Sequence, residues 1–152
     1  MTRILFVIAI TFLFTFFVFY FGQQFYINSS QRELKFDKKI TIGGAHFLVD
    51  FSKTDKESSR GLSKLEKLLP DQGLLMFFQY ENDWGIWMKD MNFPIDIVWI
   101  NKNKEVSYIR ERISPNTYPE IFYPPGKELY VLELPAGTVE MKHIKVGDLL
   151  LY

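Results

Sequence analysis

No cysteine occurs among the 152 residues, which excludes disulfides, thiolate metal sites, cysteine nucleophiles and lipid attachment through an N-terminal cysteine. The folded part has to stand on its hydrophobic core. Histidine is scarce as well: His46 and His143 are the only two, and they lack ligand-like spacing, so no metal site and no cofactor are expected. An excess of one charge is also missing. After residue 21 there are 18 acidic and 17 basic residues, whereas a nucleic-acid surface needs a basic excess to displace counterions from phosphate. No nucleic-acid partner is therefore expected. Ser59, Ser63 and Ser107 stand without elbow glycines or a neighbouring histidine pattern, which excludes a serine hydrolase. The chain also has no internal repeat and no low-complexity run.

Apolar residues, by contrast, are plentiful: 47% of the chain is hydrophobic and 17% aromatic, a composition that folds. Residues 4–21, ILFVIAITFLFTFFVFYF, carry no charge. As a helix this run predicts a transmembrane signal anchor behind a three-residue tail, 1–3. The stretch 22–38 is polar and without period, as in a juxtamembrane stalk, and a domain follows from 39 to 152. Arg3 and the α-amine favour a cytoplasmic N-terminus, which places that domain outside the cytoplasm with the membrane as one partner.

Within the domain, ITI, Gly43-Gly44 and AHFLVDF read as a hairpin, because paired glycines supply the positive φ of a tight turn. Thr54 with Glu57, and Ser63 with Glu66, match capping boxes and predict two short helical turns separated by Gly61. Apolar runs at 73–80, 86–89, 95–100, 105–113 and 129–134 read as strands, with a last one at 149–152 after a short helical turn at 136–143. The segment 114–128 carries four prolines and reads as a long loop. Short strands with little helix predict a mostly β fold, a β-sandwich or barrel with one or two short helical insertions.

In order along the chain stand Arg60-Gly61-Leu62, Gly73-Leu74-Leu75-Met76-Phe77, Trp87-Met88-Lys89-Asp90-Met91, Pro94-Ile95-Asp96-Ile97, Tyr130-Val131-Leu132-Glu133-Leu134-Pro135-Ala136-Gly137 and Gly147-Asp148. This order and spacing, from about residue 40 onward, resembles the uncharacterised domain family DUF192. The resemblance implies a jelly-roll-like sandwich and implies no activity, substrate or cofactor. Two positions depart from the family pattern. Ser63 stands where a methionine is usual and Asp90 where an asparagine is usual, and Asp90 could not replace an asparagine that acts through its amide donors.

The segment WGIWMKDMNFPIDIVWI, residues 84–100, reads as core yet holds Lys89 and Asp96. A buried carboxylate costs several kcal/mol, about 3–5 when left unpaired, so Asp96 demands a partner, and Glu133 in YVLELP raises the same demand. Arg60 and Lys89 are the candidate partners, which predicts a four-member cluster of Arg60, Lys89, Asp96 and Glu133. Three readings follow from it. One is a structural ion-pair network. Another is a pocket in which those charges orient a small polar ligand against Trp87, Phe93 and Tyr123. The third is hydrolysis, with Asp96 and Glu133 as an acid and base pair. An interaction protein using Tyr118, Phe122 and Tyr123 of the 114–128 loop is a further alternative. The reading that fits best is a membrane-anchored envelope module that binds a small polar ligand or a partner protein.

Overall fold

The computed structural model describes residues 11–23 and 33–152. The chain divides into two units, Met1–Leu34 and Lys35–Tyr152. In the first, residues 11–23 form helix α1, in which Phe16 lies beside Tyr20 and Phe17 beside Phe21, the four-residue spacing that brings rings together on one face. The described part of this helix, thirteen residues at about 1.5 Å each, covers roughly 20 Å of the roughly 30 Å of a bilayer core. Among the described residues no helix is long and apolar enough to cross a membrane. The transmembrane helix expected over 4–21 is corrected accordingly; its first part, 4–10, lies outside the described residues.

The second unit is mostly β. Strands β1 (Lys38–Ile42) and β2 (Ala45–Ser52) form the expected hairpin. Helix α2 (Asp55–Arg60) begins with both halves of the capping box in place, the Thr54 hydroxyl accepting from Glu57 N and the Glu57 carboxylate accepting from Thr54 N. The second box does not start a helix. The Ser63 hydroxyl instead donates to the carbonyl of Lys89 at 2.8 Å, so a tertiary contact has taken the side chain that the local pattern assigned to a cap.

The remaining elements are β3 (Gln72–Asn82), β4 (Ile86–Trp87), β5 (Ile95–Ile100), β6 (Val106–Ile113), β7 (Ile121–Phe122), β8 (Glu128–Pro135), α3 (Thr138–Lys142) and β9 (Leu150–Leu151). A 3-10 turn, Pro115–Thr117, and β7 give the 114–128 loop local structure. Seven strands make one sheet in the order β6-β5-β8-β3-β2-β1-β9, while β4 and β7 pair as a separate ribbon. Among the described residues only β2 and β3 run parallel, joined by a crossover that contains α2.

The expected jelly-roll-like sandwich is corrected to one seven-stranded sheet curled into a half-barrel, with the β4–β7 ribbon apart from it. Its two edges meet: Val106 N donates to Asp148 O, Gly147 N to Val106 O and Leu150 N to Lys104 O, and Glu105 bridges Leu149. The concave side encloses a core of Ile40, Ile42, Phe47, Leu75, Val98, Leu132 and their neighbours. The central strands are apolar on both faces, and all six residues of β5 are buried, so the convex side needs cover as well. Residues 61–71 and the β4–β7 ribbon supply it with Leu62, Ile86 and Phe122, all buried. Strand alternation alone does not distinguish this cover from a second sheet.

Candidate functional site

Adjacent strands β5 and β8 settle where the two carboxyl groups go. Asp96 pairs with Leu134, and Glu133 pairs with Ile97. Because side chains alternate across a strand, Asp96 shares the concave face with Leu134 and Glu133 the convex face with Ile97. The four-member cluster expected from the sequence is thereby split.

Asp96 is fully buried and fully engaged. Its Oδ1 accepts from Arg112 N at 2.8 Å and its Oδ2 from Val139 N at 2.9 Å. Val139 lies in the first turn of α3, where free N–H groups concentrate partial positive charge, and Gly137 before it offers no side-chain cap. Asp96 is the cap supplied from the neighbouring strand, and no lysine or arginine side chain is needed to hold it.

Glu133 lies differently. It is 3% exposed and takes one hydrogen bond from the Leu62 backbone, while its Oε2 has no hydrogen-bond partner among the described residues. Burial pushes this carboxyl up to about 8, against the opposing pull of the Leu62 hydrogen bond. At neutral pH the group therefore keeps its proton. Gly61 lies against it with φ +52 and ψ −133, a backbone region almost reserved for glycine, and a Cβ there would stand 3.4 Å from Oε2.

Above Glu133 opens a cavity of about 260 Å³ lined by α2 and its following turn, by β3, and by the β4–β7 ribbon. Phe78 and Trp84 stack in its wall with centroids 3.9 Å apart and planes 10° apart. Trp87, Ile121 and Tyr123 form a partly exposed rim, and Ser58, Ser59, Ser63 and Arg60 bring polar groups. The wall is held by three contacts between distant loops: Ser63 Oγ to Lys89 O, Lys64 N to Asp90 O, and Asn92 Nδ2 to Leu65 O.

Of the residues singled out from the sequence, Arg60, Trp87, Tyr123 and Glu133 line this one cavity, and Asp96 and Phe93 do not. Lys89 is exposed, with its Nζ 5.5 Å from the Trp87 ring centroid at the cavity's edge. An acid and base pair of Asp96 and Glu133 is not formed, since the sheet stands between them. Phe122, proposed as a contact residue, is buried in the ribbon, whereas Tyr118 and Tyr123 are exposed. No local signal announces the Phe78–Trp84 stack or the place of Met91 in the wall, because nothing nearby in the sequence brings 78 to 84 across a strand end.

The two departures from the family pattern also find places. Asp90 has φ +56, the left-handed region in which asparagine and aspartate are the best tolerated residues with side chains. Its role is to turn the chain and present its carbonyl to Lys64 N, which asks nothing of an amide. Ser63 acts through its hydroxyl bond to Lys89 O.

Comparison with solved structures gives the same fold in two proteins. One, from Sinorhizobium meliloti and described as a candidate transcription regulator, is 26% identical with a TM-score of 0.73, over 79% of this chain and 97% of that one. The other, of unknown function, from Novosphingobium aromaticivorans, is 23% identical with a TM-score of 0.72, over 75% of this chain and 84% of that one. No curated protein matches. The family described as "Uncharacterized ACR", DUF192, matches residues 38–152, which takes in the half-barrel and every residue of the cavity, and the chain belongs to that family.

Proposed function

We propose that the half-barrel is a small-ligand-binding module whose site is the cavity above Glu133. A buried carboxyl with an oxygen that no described residue satisfies supports this reading, because such a group costs about 1–3 kcal/mol unless something completes it. Flat aromatic surface beside a few polar groups is the usual make-up of a ligand pocket. A hydrolase based on Asp96 and Glu133 draws no support, since those groups lie on opposite faces of the sheet. Nor does the regulator description of the Sinorhizobium protein carry over as nucleic-acid binding, given the near balance of 18 acidic and 17 basic residues after residue 21.

A thermal-shift screen of the full chain against sugars, nucleotides, amino acids, organic acids and amines tests the reading. A ligand present at about 100 times its dissociation constant adds roughly 2.7 kcal/mol of stability, and Trp87→Ala, at an exposed rim position, should reduce that gain. A screen in which no compound shifts the parent protein would remove the proposal.

A further inference from the structure

The cavity's polar groups share a property that points to the chemistry of its ligand. We infer that the cavity takes a small monocarboxylate with a flat apolar body, its carboxylate meeting Glu133 and Arg60 and its ring lying against Trp84, Trp87 and Tyr123. This rests on the ligand-binding reading and goes beyond it in naming the class.

Glu133 already accepts a hydrogen bond from the Leu62 backbone, so a proton on its carboxyl belongs on the other oxygen, Oε2, the one without a partner among the described residues. Held neutral by burial at physiological pH, Glu133 then has a donor to offer and needs an acceptor. Charge of the right sign stands nearby. Glu133 sits on β8 between Leu74 of β3 and Ile97 of β5, both apolar. From the remaining walls the groups that titrate or carry charge are Asp55 and Arg60 of α2 and the Tyr123 phenol, with Lys89 at the edge beside Trp87. Arg60 and Lys89 bring positive charge to these walls and Asp55 negative charge. The volume of about 260 Å³ lies just below the range of about 300 to 1,000 Å³ usual for drug-sized ligands, and suits a single ring with a short arm.

A carboxylate that shares the proton of Glu133 binds only while that proton is there. Affinity should hold steady below the carboxyl's raised pKa of about 8 and fall about tenfold for each pH unit above it. A cationic ligand would need the ionised carboxyl and would show the reverse trend.

The experiment is calorimetric titration of the full chain with three probes of one shape, phenylacetate, phenethylamine and 2-phenylethanol, from about pH 6 to about pH 9. The expected result is that phenylacetate binds best, weakens above about pH 8, and loses that pH dependence in Glu133→Gln, whose amide is a donor at every pH. Arg60→Gln should weaken phenylacetate by roughly tenfold or more, as loss of a charge-assisted bond does. If phenethylamine binds best and tightens with pH, or if 2-phenylethanol matches phenylacetate, the ligand class is overturned while the cavity remains a binding site. If none of the three binds at millimolar concentration, the class is overturned, and the wider screen then decides the binding reading separately.

Discussion

Asp96 and Glu133 are neighbours on adjacent strands, one residue out of step, and both are buried, yet the two faces of the sheet treat them in opposite ways. On the concave face the chain spends two backbone N–H groups on Asp96, one of them in the first turn of α3. On the convex face it gives Glu133 a single N–H and leaves Oε2 unmatched beside a cavity. A buried acid can be kept either by donors that satisfy both of its oxygens or by surroundings that keep it protonated. The first solution fixes architecture. The second leaves a group in search of a partner, which is what a binding site requires.

The contrast breaks most visibly at Asp96. Asp96→Ala leaves Arg112 N and Val139 N without their acceptor and opens a space in the core, so it should cost about 3–5 kcal/mol in denaturant unfolding. A loss under about 1 kcal/mol would mean that the capping role is misassigned.

Glu133 should respond through pH. Its carboxyl is raised in the folded chain from 4.5 to about 8, so between those values the folded state binds the extra proton. Stability is then greatest below pH 4.5 as far as this group is concerned, and it declines by about 1.4 kcal/mol for each pH unit up to about 8. Glu133→Gln removes this decline. Parallel pH profiles for parent and variant would contradict the assignment.

Between the two carboxyl groups and the surface the effects shrink. Gly61→Ala forces a side chain into a glycine backbone region against Glu133 and should cost about 1–3 kcal/mol. Ser63→Ala removes one bond between the two wall loops and should cost about 1 kcal/mol. Lys89→Ala loses a contact over the exposed Trp87 ring, about 0.5–1 kcal/mol at most, and serves as the surface control for stability.

Much of this was legible in the sequence where the deciding interaction is local. The glycine pair at 43 and 44 and the Thr54–Glu57 capping box both appear as read. Ser63 carries an equally good local signal and obeys a residue 26 positions away instead. Of the three charged residues in WMKDMNFPID, Lys89, Asp90 and Asp96, only Asp96 lies in the core. Asp90 bends the backbone through a left-handed conformation and leaves Lys89 in solvent, a turn that neither glycine nor proline announces. Arg60, Trp87, Tyr123 and Glu133 do line one cavity. Their supposed companion Asp96 does not, because the strand register that sets its face cannot be read from either strand alone.

The seam between residues 104–106 and 147–150 has a bearing on how the protein behaves in company. An open seven-stranded sheet would present two rows of unsatisfied backbone groups, each a template on which another copy could build. Here the two borders occupy one another at the seam. Farther along β6 the sequence places Arg110, Glu111 and Arg112 in succession, all exposed, where charge discourages strand addition. Crowded solutions should therefore hold separate molecules rather than growing fibrils, for as long as the seam stays closed.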